Sequence, residues 1–202
     1  MALMYEGYKT NIVTRADHLA GPQQGAWTYA QYAALPDDRH RYEIVDGVLY
    51  MTPAPSSWHQ EAVSRFNYYL LTHVTFAGAG KAFIAPFDVE LAPNNVVQPD
   101  ALVILQEHLD RVTDSRVVGS PDLVVEVASP STAIYDRREK CTMYARAGVP
   151  EYWVADPATR TIEVLILENG EYHSLGYFEG SEALPSKIVP AIADVPVEKF
   201  FA

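Results

Sequence analysis

The chain has 202 residues, 49% of them hydrophobic and 20% charged, with one cysteine and a net charge of −11. That composition excludes a disordered chain, a collagen-like repeat and a disulfide scaffold, and no apolar run approaches the roughly 20 residues that span a bilayer. The length suits a single domain with a sizeable core. The N-terminus reaches charged residues too soon for a signal peptide, so a cytoplasmic protein with a free thiol and no membrane partner is expected. The 15 basic against 26 acidic residues argue against non-specific DNA binding, which rests on phosphate neutralisation by Lys and Arg.

Residues 1–26 show no periodicity and contain Gly21-Pro22 and Gly25, which reads as a loose N-terminal arm before one domain over 27–202. Thr28 is an N-cap for a short helix from Tyr29 to Leu35, stopped by Pro36. Tyr42 to Met51 carries Asp46-Gly47 between two apolar runs, a strong hairpin signal. After Pro53 and Pro55, the residues Val63, Phe66, Leu70, Leu71 and Val74 fall at helical spacing. Strands are expected at 82–91 and 96–105 around a Pro93-Asn94-Asn95 turn, then a polar loop, then a strand from Leu123 to Ala128. Residues 132–147 read as a helix ended by Gly148-Val149-Pro150. Residues 152–155, 161–168 and 171–178 read as a meander, and the tail from Ile188 to Phe201 packs back through its apolar residues. Strands mixed with two substantial helices define an α/β or α+β class, with a central mixed sheet flanked by helices.

Glu126 is the most informative residue. It interrupts Leu123-Val124-Val125-Glu126-Val127-Ala128, a run apolar on both faces and therefore a doubly covered strand. An ionised carboxylate there is costly unless it is paired or bound to a metal; the competing reading is a structural salt bridge. Asp100 follows Pro99 and precedes Ala101-Leu102-Val103-Ile104-Leu105, which places it where a second buried strand begins. Its plainer reading is a turn aspartate. Glu43 lies in the first arm of the hairpin and shares a face with Val45. Three carboxylates in separate apolar strands offer hard oxygen ligands of the kind that suit Mg²⁺ or Mn²⁺. Asp136, Lys140 and Tyr144 share one helix face at i, i+4 and i+8. Lys140 could orient a water or stabilise a phosphate there, or be a solvated lysine paired with Asp136.

Pro99-Asp100, Glu126 and Lys140 together resemble the PD-(D/E)XK nuclease core, an acid opening one strand and an acid-x-lysine on the next. The chain departs from that pattern because Ala128 stands two residues after Glu126, so the lysine comes from the following helix. With Tyr42 to Gly47, His59, Pro121-Asp122-Leu123 and Gly148 to Trp153, this arrangement resembles the Uma-two family, mostly bacterial proteins of the restriction-endonuclease class, over residues 28–200. The resemblance implies a restriction-endonuclease-like fold, a divalent metal, DNA hydrolysis and a homodimer. By position it makes Glu43, Asp100 and Glu126 the acidic metal-binding residues and Lys140 the catalytic lysine, with His59, Tyr144 and Asp136 as accessories. The alternatives are a nuclease fold kept as a non-catalytic binding module, or a phosphodiesterase acting on RNA or small nucleotides.

Cys141 reads as a packed helix thiol, since no sequence feature pairs it with a histidine. Trp27, Trp58 and Trp153 sit in apolar patterns and read as core, while Tyr68-Tyr69 could pack at a dimer face. The six histidines never reach zinc-ligand spacing. The negative charge is uneven: residues 1–150 carry a net −5 and residues 151–202 a net −6, and Arg137, Arg138, Lys140 and Arg146 concentrate beside the proposed site. The overall −11 therefore does not forbid a nucleic-acid substrate.

Overall fold

The computed structural model describes residues 13–128 and 139–201. Residues 13–26, expected as a loose arm, are docked. Thr14–Arg15 form strand β1, the Ala16 N–H donates to the Leu49 carbonyl at 2.9 Å, and Ala16 and Trp27 are buried. Thr28 caps helix α1 (Tyr29–Tyr32), and Gln31 Oε1 accepts from its backbone N–H at 3.0 Å. The helix is shorter than the seven residues expected and gives way to turns before Pro36.

Strands β2 (Arg41–Val45) and β3 (Val48–Thr52) form the expected hairpin. Asp46 and Gly47 both take positive φ, 50° and 74°, the left-handed pair that lets a two-residue turn match the twist of its strands. β1 lies antiparallel along β3. Helix α2 (Ser57–Leu70) is capped by Ser56 Oγ, which accepts from the His59 N–H at 3.3 Å, and runs on as a wider turn over Leu71–Thr75. Val63, Phe66, Leu70 and Val74 are buried as the periodicity requires.

The next four strands depart from expectation. The segment 80–105 is one long hairpin bent in the middle. β4 (Gly80–Ile84) pairs with β7 (Ala101–Leu105), while β5 (Asp88–Ala92) pairs with β6 (Asn95–Val97). Each arm breaks beside a proline, Pro86 in one and Pro99 in the other, and a residue without an N–H cannot continue a ladder. The two halves of the hairpin consequently join different sheets. One sheet runs β1-β3-β2-β6-β5-β8, where β8 (Arg116–Val118) lies parallel to β5 within the segment expected as a polar loop.

The second is the expected mixed sheet. It runs β12-β11-β10-β9-β7-β4, with β9 (Leu123–Val127), β10 (Glu151–Asp156), β11 (Thr161–Glu168) and β12 (Glu171–Glu179). β9 and β10 are parallel and their neighbours antiparallel. Helix α3 (Cys141–Ala147) ends at Gly148 in the left-handed conformation, φ 80°; residues 132–138 of the helix expected there lie outside the described residues. The class is α+β, with two mixed sheets and few helices.

The second sheet is covered on both faces. Val125, Val127 and Trp153 pack under α2 and the C-terminal tail, where Phe66 stacks on Phe200 at 4.6 Å between ring centroids. Leu102, Val124, Tyr152 and Val154 face α3 and the inner side of the first sheet, including Val45, Val89 and Val97. Gly47 is the tightest point of the first sheet's periphery: a Cβ there would overlap the Gly25 carbonyl as well as strain a φ of +74°. Gly47→Ala is therefore expected to destabilise the protein by roughly 1–3 kcal/mol in urea unfolding.

Candidate active site

β9 alternates, so Glu126 leaves the sheet on the side of Val124 and Ala128, toward α3 and the first sheet. Glu43 leaves β2 on the side of Val45, toward the same space. The two carboxylates come from different sheets, and Lys140, at the start of α3, joins them. Its Nζ lies 3.0 Å from Glu43 Oε1 and 2.9 Å from Glu126 Oε1. Glu43, Glu126 and Lys140 are 1%, 3% and 4% exposed, so the Coulomb attraction acts with little screening by water. The Tyr144 hydroxyl, one turn further along α3, donates to Glu126 Oε1 at 2.7 Å. Burial, then the charges of Glu126 and Glu43, hold the Tyr144 phenol well above its ordinary pKa of 10.0, so it remains a donor at neutral pH.

Asp100 stands one residue before β7, and its register extends the pairing of Ala101 with Val125 to bring it opposite Glu126. Asp100 Oδ2 accepts from the Val127 N–H at 2.8 Å and from His59 Nε2 at 3.0 Å. Burial works to raise the Asp100 pKa; the hydrogen bond and charge of His59, the Val127 N–H and the Lys140 charge outweigh it and hold the carboxyl below its ordinary 3.8. His59 thus joins the site through Asp100, and its Nδ1 is buried without a partner among the described residues.

All four principal residues expected from the sequence, Glu43, Asp100, Glu126 and Lys140, meet in this buried region, with His59 and Tyr144 beside them. Asp136 lies outside the described residues, as do Arg137 and Arg138. Lys140 is paired with two carboxylates instead of being solvated. Trp58, expected in the core, is 65% exposed at the start of α2, whereas Trp27 and Trp153 are buried. Cys141 is a half-buried free thiol whose pKa is raised, chiefly by burial. Tyr68 is exposed, and Tyr69 packs on Phe200 with ring centroids 5.1 Å apart.

Sequence reasoning missed the network behind Glu43. The Gln98 N–H donates to Glu43 Oε1 at 2.9 Å, and Gln98 Nε2 donates to Asp88 Oδ1 at 2.8 Å and to the Tyr32 hydroxyl at 3.1 Å. Arg41 Nε donates to Gln98 Oε1 at 3.0 Å. The available signal was position: Gln98 directly precedes Pro99-Asp100, and Arg41 is two residues before Glu43.

The donor set is that of a hard divalent cation only in part. Glu43 Oε2 is buried and finds no hydrogen-bond partner among the described residues, and Glu126 on β9 and Asp100 just before the adjacent β7 present two further carboxylates. Among the described residues, however, no group of three or more His, Cys, Asp or Glu side chains is gathered tightly enough to hold a metal. The Lys140 ammonium occupies the position between two of the acids. A cation that uses one or two carboxylates and completes its shell with water and phosphate, as Mg²⁺ does, fits these residues.

A mixed sheet carries Glu126 on β9 and Asp100 just before the adjacent β7, with Lys140 at the start of the following helix, the arrangement for which the sequence resembles a restriction-endonuclease-like protein. The family model described as Uma2, "Putative restriction endonuclease", matches residues 29–198, and the chain belongs to that family. Among solved structures it is similar to "a putative nuclease belonging to DUF820 from Anabaena variabilis ATCC 29413", with a TM-score of 0.70 and 19% sequence identity over 86% of this chain and 97% of that one. That likeness concerns the fold. No curated protein matches the chain. Among the described residues no helix is long and apolar enough to cross a membrane.

Two outcomes follow from the geometry. Lys140→Met strands two buried carboxylates and is expected to cost about 3–5 kcal/mol of unfolding free energy at pH 7, with part recovered when Glu126→Gln is added. For Asp100 the folded pKa lies below the unfolded value, so its stabilisation is present above the unfolded value, about 3.9, and is lost as the pH falls through the folded one. The difference in unfolding free energy between wild type and Asp100→Asn should accordingly shrink as the pH drops below about 4.

Proposed function

We propose that the protein is a metal-dependent endonuclease that hydrolyses phosphodiester bonds of DNA. The observation that carries this reading is the lysine ammonium within 3.0 Å and 2.9 Å of two buried carboxylates, with Asp100 one strand away from Glu126. Membership of a family described as "Putative restriction endonuclease" supports it.

Asp100 and Glu126 would hold Mg²⁺ or Mn²⁺, with Glu43 contributing through its unpartnered Oε2 directly or through water. The bound ion would polarise the phosphoryl group and lower the pKa of a coordinated water. The chain's own residues do the rest. His59 and the Val127 N–H fix the Asp100 carboxylate, and Tyr144 fixes that of Glu126. Lys140 supplies positive charge where the phosphate accumulates negative charge, in a site already organised before substrate arrives. The surrounding core, Val45, Val124, Ala128 and Met143 among it, keeps bulk water from screening these interactions.

A second reading is favoured by one feature: Lys140 closes the space between Glu43 and Glu126, as it would in a fold kept for binding without catalysis. Calorimetric titration of Mn²⁺ into wild type and Glu126→Ala separates the two, and absence of binding by wild type would remove the catalytic reading. The homodimer belongs to the same proposal, and sedimentation of the purified chain reads it directly.

The decisive assay is incubation with supercoiled DNA, single-stranded DNA and RNA in Mg²⁺ or Mn²⁺. Wild type should nick or linearise the plasmid. Glu126→Gln should leave only background cleavage, and Lys140→Ala should lower the rate by roughly 10²- to 10³-fold, the usual loss for one group that stabilises developing charge. Cleavage confined to RNA would reassign the substrate.

A further inference from the structure

Arg41 and Glu43 are two residues apart in β2, so their side chains leave the same face of the strand, the face turned toward the second sheet. Arg41 is half-buried at the outer end of that face, beyond Glu43. Its guanidinium is locked by Gln98: Nε donates to Oε1 at 3.0 Å and one terminal nitrogen, Nη2, donates to the Gln98 carbonyl at 3.2 Å. Gln98 is itself immobilised by Asp88 and Tyr32, and its N–H grips Glu43. One rigid unit therefore sets both the acid and the arginine.

Among the described arginines Arg39, Arg111 and Arg160, like Arg41, form no ion pair with a carboxylate; what sets Arg41 apart is that two hydrogen bonds fix it on the strand face that carries Glu43. Arg15, Arg65, Arg116 and Arg146 each lie within 4 Å of a carboxylate, Asp17, Glu61, Glu90 and Asp46 respectively. Arg41 has no such partner among the described residues. Both of its acceptors are neutral, so its orientation is fixed while its charge is left uncompensated. Its second terminal nitrogen has no acceptor in that fork. An arginine in this condition is suited to an anion, and a phosphate matches its planar donors.

We propose that Arg41 is a phosphate-binding residue of the site, holding a phosphate of the substrate backbone beside the position where Glu43 and Lys140 act. This rests on the phosphodiesterase reading above and deepens it. It also answers the electrostatic difficulty of a chain with a net charge of −11: attraction for the substrate comes from one preoriented guanidinium next to the acids, not from the overall field.

The test compares wild type, Arg41→Gln and Arg41→Lys in steady-state cleavage of a duplex oligonucleotide in Mn²⁺, from about 50 to 200 mM salt. Loss of one phosphate contact should make the slope of log kcat/KM against log salt shallower by about 0.9 in Arg41→Gln, with KM raised roughly ten- to a hundredfold, the range for a charge-assisted hydrogen bond. Arg41→Lys keeps the charge and should retain the wild-type slope while losing part of the affinity. A merely structural role would lower kcat and stability in both variants and leave the slope alone. An unchanged slope in Arg41→Gln, or equal losses in both variants, overturns the proposal while the nuclease reading stands. A wild type that cleaves no nucleic acid in Mn²⁺ or Mg²⁺ removes the nuclease reading, and this inference with it.

Discussion

The buried contact of Lys140 with Glu43 and Glu126 is the constraint around which the molecule is arranged. Three charged groups have left water, and each loses solvation worth several kcal/mol even after the surroundings relax. Such an arrangement survives only where the remaining polar atoms find partners. Here the Gln98 N–H donates to Glu43 Oε1 and the Tyr144 hydroxyl to Glu126 Oε1, while Glu43 Oε2 is the one carboxylate oxygen of the group left buried without a hydrogen bond among the described residues. The three charges also come from three different layers: Glu43 from the first sheet, Glu126 from the second and Lys140 from α3. Displacing any layer relative to the others would separate the charges in a medium that cannot compensate for them, so the polar contact fixes the relative placement of layers that apolar packing alone would leave free to slide.

The bent hairpin over 80–105 serves the same purpose through the backbone. Because Pro86 and Pro99 interrupt its arms, one stretch of chain belongs to both sheets, and the residues at the bend are carried to the boundary between them. Gln98 and Asp100 sit at that bend. Gln98 reaches toward Glu43 and Arg41 on the first sheet, and Asp100 reaches toward Val127 on the second and His59 on α2. A straight hairpin of the kind the sequence pattern implied would have placed all of its residues in a single sheet.

How far the sequence could be read depended on whether a residue's setting is local. Glu126 was legible because its neighbours along the strand show that it must be buried, and buried carboxylates are rare without a purpose. The Asp46-Gly47 turn, the stripe from Val63 to Val74 and the strand start at Asp100 were legible for the same reason. β8 was not, because Arg116-Val117-Val118 is too short to show an alternation. Trp58 misled because an apolar residue near a helix start does not declare which side of the helix it lies on. Gln98 was invisible: its importance lies in partners 66, 57, 55 and 10 residues away, and no local pattern marks it.

By itself, the order of residues determined most of the longer elements and the principal acids and lysine of the site: period-2 and period-3.6 patterns are consequences of strand and helix geometry, and an acid inside an apolar strand advertises its own cost. Only the tertiary structure decided the pairings. Lys140 meets Glu43 across 97 residues and Glu126 across 14, and that choice depends on which sheet each strand joins and on which face α3 covers. Those are outcomes of packing two sheets and a helix together, where burial and the need to satisfy every buried charge are settled at once for the whole molecule.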